Sequence, residues 1–190
     1  MKSKTPDRRI RKTRNALKNG LAELMINKSI SDISVRELTE KVDLNRGTFY
    51  LHYKDIFDLV EQVELEILEN LQNILGSHPA CELNGEPLPL LEDLFYFLKD
   101  NANICSVLIG KNGDIAFVNK LKNLIKEKCF CDWEAIFNKN TATFNYFYSY
   151  LLSGCIGLFE AWFKNGLKET PHEMAVITQN IILHGIDVIK

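Results

Sequence analysis

A short run in the first third of the chain brings together four side chains that carry hydrogen-bond donors. Arg46, Thr48, Tyr50 and His52 each carry hydrogen-bond donors, and Gly47 lacks a side chain that would keep another molecule from the backbone. The arginine fork suits the two acceptors on a guanine edge as well as phosphate oxygens. Such a run is typical of a surface that contacts nucleic acid.

Charge is distributed unevenly along the chain. Residues 1–54 hold 13 Lys and Arg against 6 Asp and Glu, and residues 55–190 hold 10 against 19, although the formal net charge is only −2. All the arginines lie within the first 46 residues. A basic head on an acidic body favours a protein that presents one end to DNA. A chance imbalance on a solvated surface is the alternative, and charge alone does not decide between the two.

The sequence lacks the motifs of the common enzyme classes. Gly-x-Ser-x-Gly, His-Glu-x-x-His, P-loop and Rossmann glycine patterns are all missing, and His78, His172 and His184 have no evident acid or thiol partner in the sequence. The 5 cysteines are odd in number and show no Cys-x-x-Cys spacing, which argues against a disulfide framework or a metal site. We therefore expect a protein that is not an enzyme and that holds no cofactor and no metal.

The composition is that of an ordinary globular protein, with 46% hydrophobic and 25% charged residues. No apolar run approaches the roughly 20 residues that span a bilayer. The basic N-terminus leads into a charged, periodic segment, which is unlike a secretory signal. We expect a cytoplasmic protein with no membrane partner.

Hydrophobic periodicity predicts a helix from about Arg8 to Asn27. Ser34 is the expected N-cap of a short second helix that ends near Val42, with Glu37 as its capping-box partner. A third helix starts near Asn45 and carries residues 46–53. Two short helices joined by a turn and supported by a preceding helix form a helix-turn-helix, whose second helix lies in the DNA major groove.

The rest of the chain also reads as helical, without any alternating strand pattern. The fold class predicted is all-α, with an N-terminal three-helix helix-turn-helix domain over residues 1–54 and a helical-bundle ligand and dimerisation domain over residues 55–190. A long amphipathic helix opens the second domain, and a linker rich in Gly and Pro covers residues 76–89. Further helices are predicted over residues 90–100, 114–131, 143–165 and 171–189.

The segment from Ile33 to Asp55 resembles the DNA-binding domain of the TetR family. The likeness rests on the Gly-Thr-Phe-Tyr step at residues 47–50, on the tyrosine at position 53 that ends the recognition helix, and on the Lys-Asp pair that follows. It is strong over residues 8–68 and only architectural beyond. Asp43 departs from the glycine usual in the family's turn, but Asp tolerates a left-handed backbone better than most residues, so we expect the turn to be kept.

The resemblance implies roles at a DNA interface. Asn45 caps the recognition helix, Arg46 reads guanine and Lys54 pairs with phosphate, while the basic arm from Lys2 to Arg14 adds unspecific attraction. For Arg36 and Lys54 the alternative is an ordinary solvated charge, and for His52 it is a position on the helix surface away from the groove. Phe49 and Tyr53 are expected in the core. The full set of expected DNA contacts is Arg36, Asn45, Arg46, Gly47, Thr48, Tyr50, Leu51, His52 and Lys54.

The resemblance also implies that the last two long helices pair with those of a second copy, so that a homodimer binds a palindromic DNA operator. The aromatic segment over residues 143–165 is apolar on much of its circumference, and Gly154 and Gly157 would let another backbone come close. A purely intramolecular core is the alternative.

A pocket for an unknown small-molecule effector is expected inside the bundle. Each candidate wall residue is an aromatic that could equally be plain core. A regulator without a ligand, or a protein-interaction module with a closed core, is the competing hypothesis, and repressor versus activator stays open. The candidate wall residues are Phe95, Phe97, Phe117, Phe147 and Trp162.

Overall fold

The computed structural model describes residues 8–79, 87–110, 113–136 and 141–185, with the side chains of residues 128–136 and 141–144 left out. Over these ranges the chain is helical and contains no strand. A 3₁₀ turn lies at Ile30–Asp32. The α-helices are α1 (Arg8–Met25), α2 (Val35–Lys41), α3 (Arg46–Tyr50), α4 (Ile56–Ser77), α5 (Leu88–Asp100), α6 (Ala102–Ile109), α7 (Ile115–Ile136), α8 (Thr141–Lys164) and α9 (Pro171–His184). The predicted all-α class is confirmed.

The chain forms two compact units. One unit takes the chain up to Glu66 together with Asn103–Phe117, and the other takes Ile67–Ala102 together with the chain from Val118 onward. These units divide the chain along different lines from the predicted domains 1–54 and 55–190. The reason is that the first half of α4 bonds to α1: Arg14 and Lys18 donate to Gln62 and Glu66 at 3.0 and 3.2 Å.

The first unit has a core built where α1 crosses α2. Leu17, Leu21 and Met25 of α1 are fully buried, one helical turn apart, as the period of the sequence requires. Gly20 lies on the same face, and a Cβ added there would meet the side chain of Val42 and lie 3.1 Å from Leu38 Cδ1. Glycine is thus what lets the two backbones approach.

The same unit contains α6, a helix that the sequence analysis did not predict. Its side chains Ile104, Cys105 and Leu108 are buried. Burial raises the pKa of the Cys105 thiol to about 12, against a smaller opposing effect of the Lys18 charge. The thiol therefore stays protonated at neutral pH and serves as a small apolar core group.

The second unit is organised around Trp162 of α8. Its ring meets Phe95 of α5 edge to face with centroids 5.4 Å apart, and its indole N–H donates to the Glu169 carbonyl at 3.0 Å. α8 stops where predicted, with Gly166 at φ 77°. Pro171 begins α9 as predicted, behind a complete capping box between Thr170 and Glu173.

Candidate nucleic-acid interface

The helix-turn-helix is defined locally by caps. The Ser34 hydroxyl accepts a hydrogen bond from the Glu37 backbone N–H at 3.2 Å, as predicted. The reciprocal half of the capping box differs from the prediction, because the Glu37 carboxylate bonds to Lys28 Nζ instead. The turn after α2 passes through Asp43 at φ 53°, the left-handed conformation expected of a residue that replaces glycine. The turn predicted from the sequence is therefore present.

The recognition helix α3 begins at a side-chain cap. Asn45 Oδ1 accepts a hydrogen bond from the Gly47 N–H at 2.8 Å, which confirms the predicted cap. The helix is shorter than predicted: it ends at Tyr50, with Leu51 as C-cap, where residues 46–53 were expected. The Tyr53 N–H still donates to the Phe49 carbonyl at 3.0 Å, so one more helix-like turn follows α3 before the chain leads into α4.

The two aromatic faces of this segment separate as predicted. Phe49 and Tyr53 are buried and lie 5.7 Å apart between ring centroids. Tyr50 points outward with 58% of its surface exposed, and Leu51 is 81% exposed. Thr48 and His52 are half-buried, whereas Asn45, Arg46, Gly47 and Lys54 are exposed. Phe49 and Tyr53 thus anchor the segment in the core, while Tyr50 and Leu51 lie on its surface.

The cations of this surface are engaged to different degrees. The side chains of Arg46 and Lys54 make no hydrogen bond or ion pair with other described residues. Arg36 forms an ion pair with Glu40 at 2.7 Å, and the hydrogen bond to Glu40 raises the pKa of its guanidinium. The Arg36 guanidinium is therefore partly engaged by Glu40, whereas the side chains of Arg46 and Lys54 form no such pair with the described residues.

Arg14, the last residue of the predicted basic arm, is exposed and bonds to other residues of its own unit. Its Nε donates to the Tyr53 hydroxyl at 3.1 Å and its Nη2 donates to Gln62 Oε1 at 3.0 Å. The bond to Tyr53 is the main reason that the pKa of the Arg14 guanidinium is raised. Residues 1–7 of the arm lie outside the described residues.

The segment between α3 and α4 is held by two aspartates. Asp55 Oδ1 accepts from the Asp58 N–H at 2.8 Å, and Asp58 Oδ2 accepts from the Lys54 N–H at 2.7 Å. The hydrogen bonds from Gln62 Nε2 and from the Lys54 N–H lower the pKa of the Asp58 carboxyl, and the Gln62 bond contributes most. A cleft of about 380 Å³ opens over this junction, and its walls are Tyr50, Leu51, His52, Tyr53, Lys54, Asp58 and Gln62.

The five aromatics predicted to line an effector pocket lie in different surroundings. Phe95 and Trp162 contact each other in the core of the second unit, where Phe97 is half-buried. Phe147 belongs to the same unit and is 40% exposed. Phe117 is buried in the first unit. The assignment of these residues to a ligand site stays a prediction.

Two features are absent from the part of the chain that the structure describes. Among these residues no group of His, Cys, Asp and Glu is arranged to hold a metal ion. None of the helices within the described ranges has both the length and the apolar character needed to cross a membrane.

Comparisons with known proteins place this architecture. Residues 85–184, just over half of the chain, match the TetR family model described as "Transcriptional regulator C-terminal region". The helix-turn-helix regulator YxbF of Bacillus subtilis (strain 168), named as uncharacterized, is 34% identical over 59 residues, which cover 31% of this chain and only 16% of that protein. What the whole of that longer relative does therefore does not transfer to this chain.

Solved structures share the fold at low sequence identity. The fatty acid degradation regulator FadR of Bacillus halodurans superimposes with a TM-score of 0.70 at 12% identity, over 97% of this chain and 98% of that chain. NalD, the secondary repressor of the MexAB-OprM multidrug efflux pump in Pseudomonas aeruginosa, superimposes with a TM-score of 0.61 at 19% identity, over 94% and 98%. With a helix-turn-helix capped and presented as described, and with the family model matched over most of its second half, the chain belongs to the TetR family of transcriptional regulators.

Proposed function

We propose that the protein is a sequence-specific DNA-binding regulator that binds an inverted-repeat operator as a homodimer, with α3 in the major groove. The observation that carries this proposal is the exposed Arg46 on the first turn of a capped recognition helix, with no ion-pair partner among the described residues. A helix N-terminus directed into the groove places the side chains of its first turn on base edges. Arg46 is thus positioned to read a guanine.

The remaining residues of the proposed interface divide by chemistry. Arg36, Lys54, Thr48 and Tyr50 carry donors suited to phosphate, which fix register without reading sequence. The exposed Leu51 and the half-buried His52 face the cleft and would meet the groove wall. Asn45 holds the helix start, and Gly47 has no side chain to keep the DNA backbone away. The arrangement supports one base-reading group surrounded by positioning contacts.

A homodimer is supported by the outer face of α8 and α9. Tyr146 and Tyr150 are 79% and 77% exposed, and they share a helical face with Gly154 and Gly157. A Cβ added at either glycine would meet nothing within 4 Å, so space for a second backbone lies beside them. Exposed tyrosines next to open glycines are the pattern of an apolar contact surface that a second copy covers. Ile177, Ile181 and Leu183 of α9 add exposed apolar area.

We further propose that a small molecule bound by the second unit controls the protein. The candidate wall residues in this unit are Phe95, Phe97, Phe147 and Trp162. Phe117, in the first unit, completes the predicted set. Two proteins that share the fold are named as regulators of fatty acid degradation and of a multidrug efflux pump, processes that handle small molecules. A ligand that favours one of two states of the dimer would change operator affinity by its difference in affinity for the two. The protein would act in the cytoplasm, where its operator lies.

The experiment that tests this proposal is selection of random duplex DNA on the purified full-length protein, with sequencing of the bound pool. An enriched inverted repeat is the expected result. An enriched single half-site would contradict the homodimer. A parallel selection that contains a small-molecule extract of the source cells supplies an effector, and absence of enrichment in both selections would contradict sequence-specific reading.

A further inference from the structure

The side chain of Arg14 is part of a closed circuit of hydrogen bonds. From its Nη2 the circuit runs to Gln62 Oε1 at 3.0 Å, and from Gln62 Nε2 to Asp58 Oδ1 at 2.9 Å. The other oxygen of Asp58 accepts from the Lys54 backbone N–H at 2.7 Å. Lys54 follows Tyr53 in the chain, and the hydroxyl of Tyr53 accepts from Arg14 Nε at 3.1 Å, which closes the circuit.

This circuit joins three elements around the exit of the recognition helix. Arg14 belongs to α1, Gln62 and Asp58 belong to α4, and residues 53–54 form the junction. The contacts are distant in sequence, since Arg14 lies 39 and 48 residues from its two partners. Because the guanidinium is planar, with its donors in a fixed fork, it can set the angle between two acceptors as a lysine cannot.

We propose that Arg14 is a positioning residue of the helix-turn-helix. By bonding to both Tyr53 and Gln62, it clamps the junction between α3 and α4 and so orients Arg46, Tyr50 and Lys54. The proposal rests on the proposed DNA-reading function of α3. It assigns to Arg14 a role that differs from the unspecific phosphate attraction expected of the basic arm.

The clamp acts at a point where a small displacement of Tyr53 changes the orientation of α3. Tyr53 is buried and its ring packs on Phe49, the core anchor of α3, so a displaced Tyr53 tilts the helix. The cleft walls include Tyr53, Lys54, Asp58 and Gln62, which are all members of the circuit. The circuit therefore also fixes the shape of the surface beside the groove.

The test compares full-length variants on the selected operator and on an unrelated duplex over a series of KCl concentrations. Arg14→Lys keeps the charge but loses the fork, and Tyr53→Phe keeps the ring but loses the hydroxyl. Each is expected to weaken operator binding roughly tenfold, the scale of hydrogen bonds to a charged group, and to change the salt slope by less than the loss of a phosphate contact would. The double variant should also lose only about tenfold in operator affinity relative to the wild type, because both changes open the same circuit. Glu23→Gln is the matched control, since it breaks the surface ion pair Lys41–Glu23 of the same unit, which takes no part in the circuit.

Two outcomes would overturn the clamp. The first is that Arg14→Lys binds like the wild type while Arg14→Met lowers the salt slope by about one, which would make Arg14 a phosphate contact. The second is that losses of the two single variants multiply to about a hundredfold in the double variant.

A readout without DNA separates the clamp from the proposed function. The Lys54 amide should exchange its hydrogen about tenfold faster in Arg14→Lys and in Tyr53→Phe than in the Glu23→Gln control. Unchanged exchange at Lys54 would refute the clamp whatever the binding results. If exchange at Lys54 is faster in the two variants but the wild-type protein selects no operator, the clamp is supported and the proposed function is refuted.

Discussion

Arg46 is the residue on which sequence reading is proposed to depend, so Arg46→Ala is the most informative perturbation. A bidentate arginine–guanine contact is worth about 1–3 kcal/mol. A homodimer on an inverted repeat makes this contact twice, which gives about 2–6 kcal/mol per complex. At 1.4 kcal/mol for each factor of ten, operator affinity should fall at least about 30-fold.

The fold should not suffer from this change. Arg46 is exposed and makes no hydrogen bond or ion pair with other described residues, and surface changes of this kind stay within about 0.5 kcal/mol of the wild-type stability. A thermal melt that matches the wild type would show that any loss of binding is local. Affinity is measured by fluorescence anisotropy, on the selected operator and on a scrambled duplex of equal length.

Lys54→Ala is the matched comparison, because Lys54 is equally exposed but is proposed to contact phosphate. Its loss should weaken both duplexes alike and reduce the salt slope by about 0.9 for each protomer. Arg46→Ala should spare the scrambled duplex. An equal loss on both duplexes for Arg46→Ala would refute the assignment of base reading to this residue.

Three further perturbations test the rest of the structure. Gly20→Ala should destabilise the protein by about 1–3 kcal/mol, because the new Cβ meets Val42 and lies 3.1 Å from Leu38; a higher melting temperature would contradict the close α1–α2 approach. Gly154→Leu should leave the folded chain intact but shift the protein to monomers in sedimentation, and an unchanged dimer would remove this face from the interface. Hydrogen bonds from Thr170 lower the pKa of Glu173, so the stability that they add is present above the ordinary pKa of Glu and is lost as the pH falls through the lowered value; Glu173→Gln should flatten the fall in melting temperature between about pH 5 and pH 3, and an unaltered slope would count against it.

The helix-turn-helix could be predicted because the signals that define it are local. Ser34 and Asn45 cap helices through atoms two or three residues away, and Asp43 turns the chain through its own φ angle. Such interactions depend on residue type and spacing, which a sequence displays directly. The end of α3 was less well predicted, because Tyr50, Leu51 and Tyr53 all fit a helical pattern. Where the helix ends depends on the burial of Tyr53, which the sequence does not display.

The helix α6 was missed for a physical reason. Its sequence from Ala102 to Ile109 has only 8 residues, of which Asn103 and Ser106 are polar, so its helical period is too short to stand out. The hydrogen bonds of Arg14 were missed for another reason, since its partners lie 39 and 48 residues away. Charge in the sequence indicated attraction to DNA, and only the packing of α1 on α4 shows that this arginine already has two acceptors.

The candidate pocket marks where residue type stops being informative. Phe95, Phe117 and Phe147 are one kind of residue, yet the first contacts Trp162, the second is buried in the other compact unit and the third is 40% exposed. An aromatic side chain gains by burial against any apolar neighbour, whether protein or ligand. Whether such a residue lines a cavity depends on which neighbours leave a space, and that is a property of the whole packing.

The glycines show how the structure separates two meanings of one residue. At Gly20 the missing side chain is matched by the atoms of α2, so the close approach is complete within one chain. At Gly154 and Gly157 the space is open, and the tyrosines beside them expose apolar rings that water solvates poorly. Because the same face carries both features, a second copy on this surface would satisfy them together. Two recognition helices related by such a dimer contact would require an operator with matching two-fold symmetry. The proposed dimer therefore predicts the inverted repeat expected from selection.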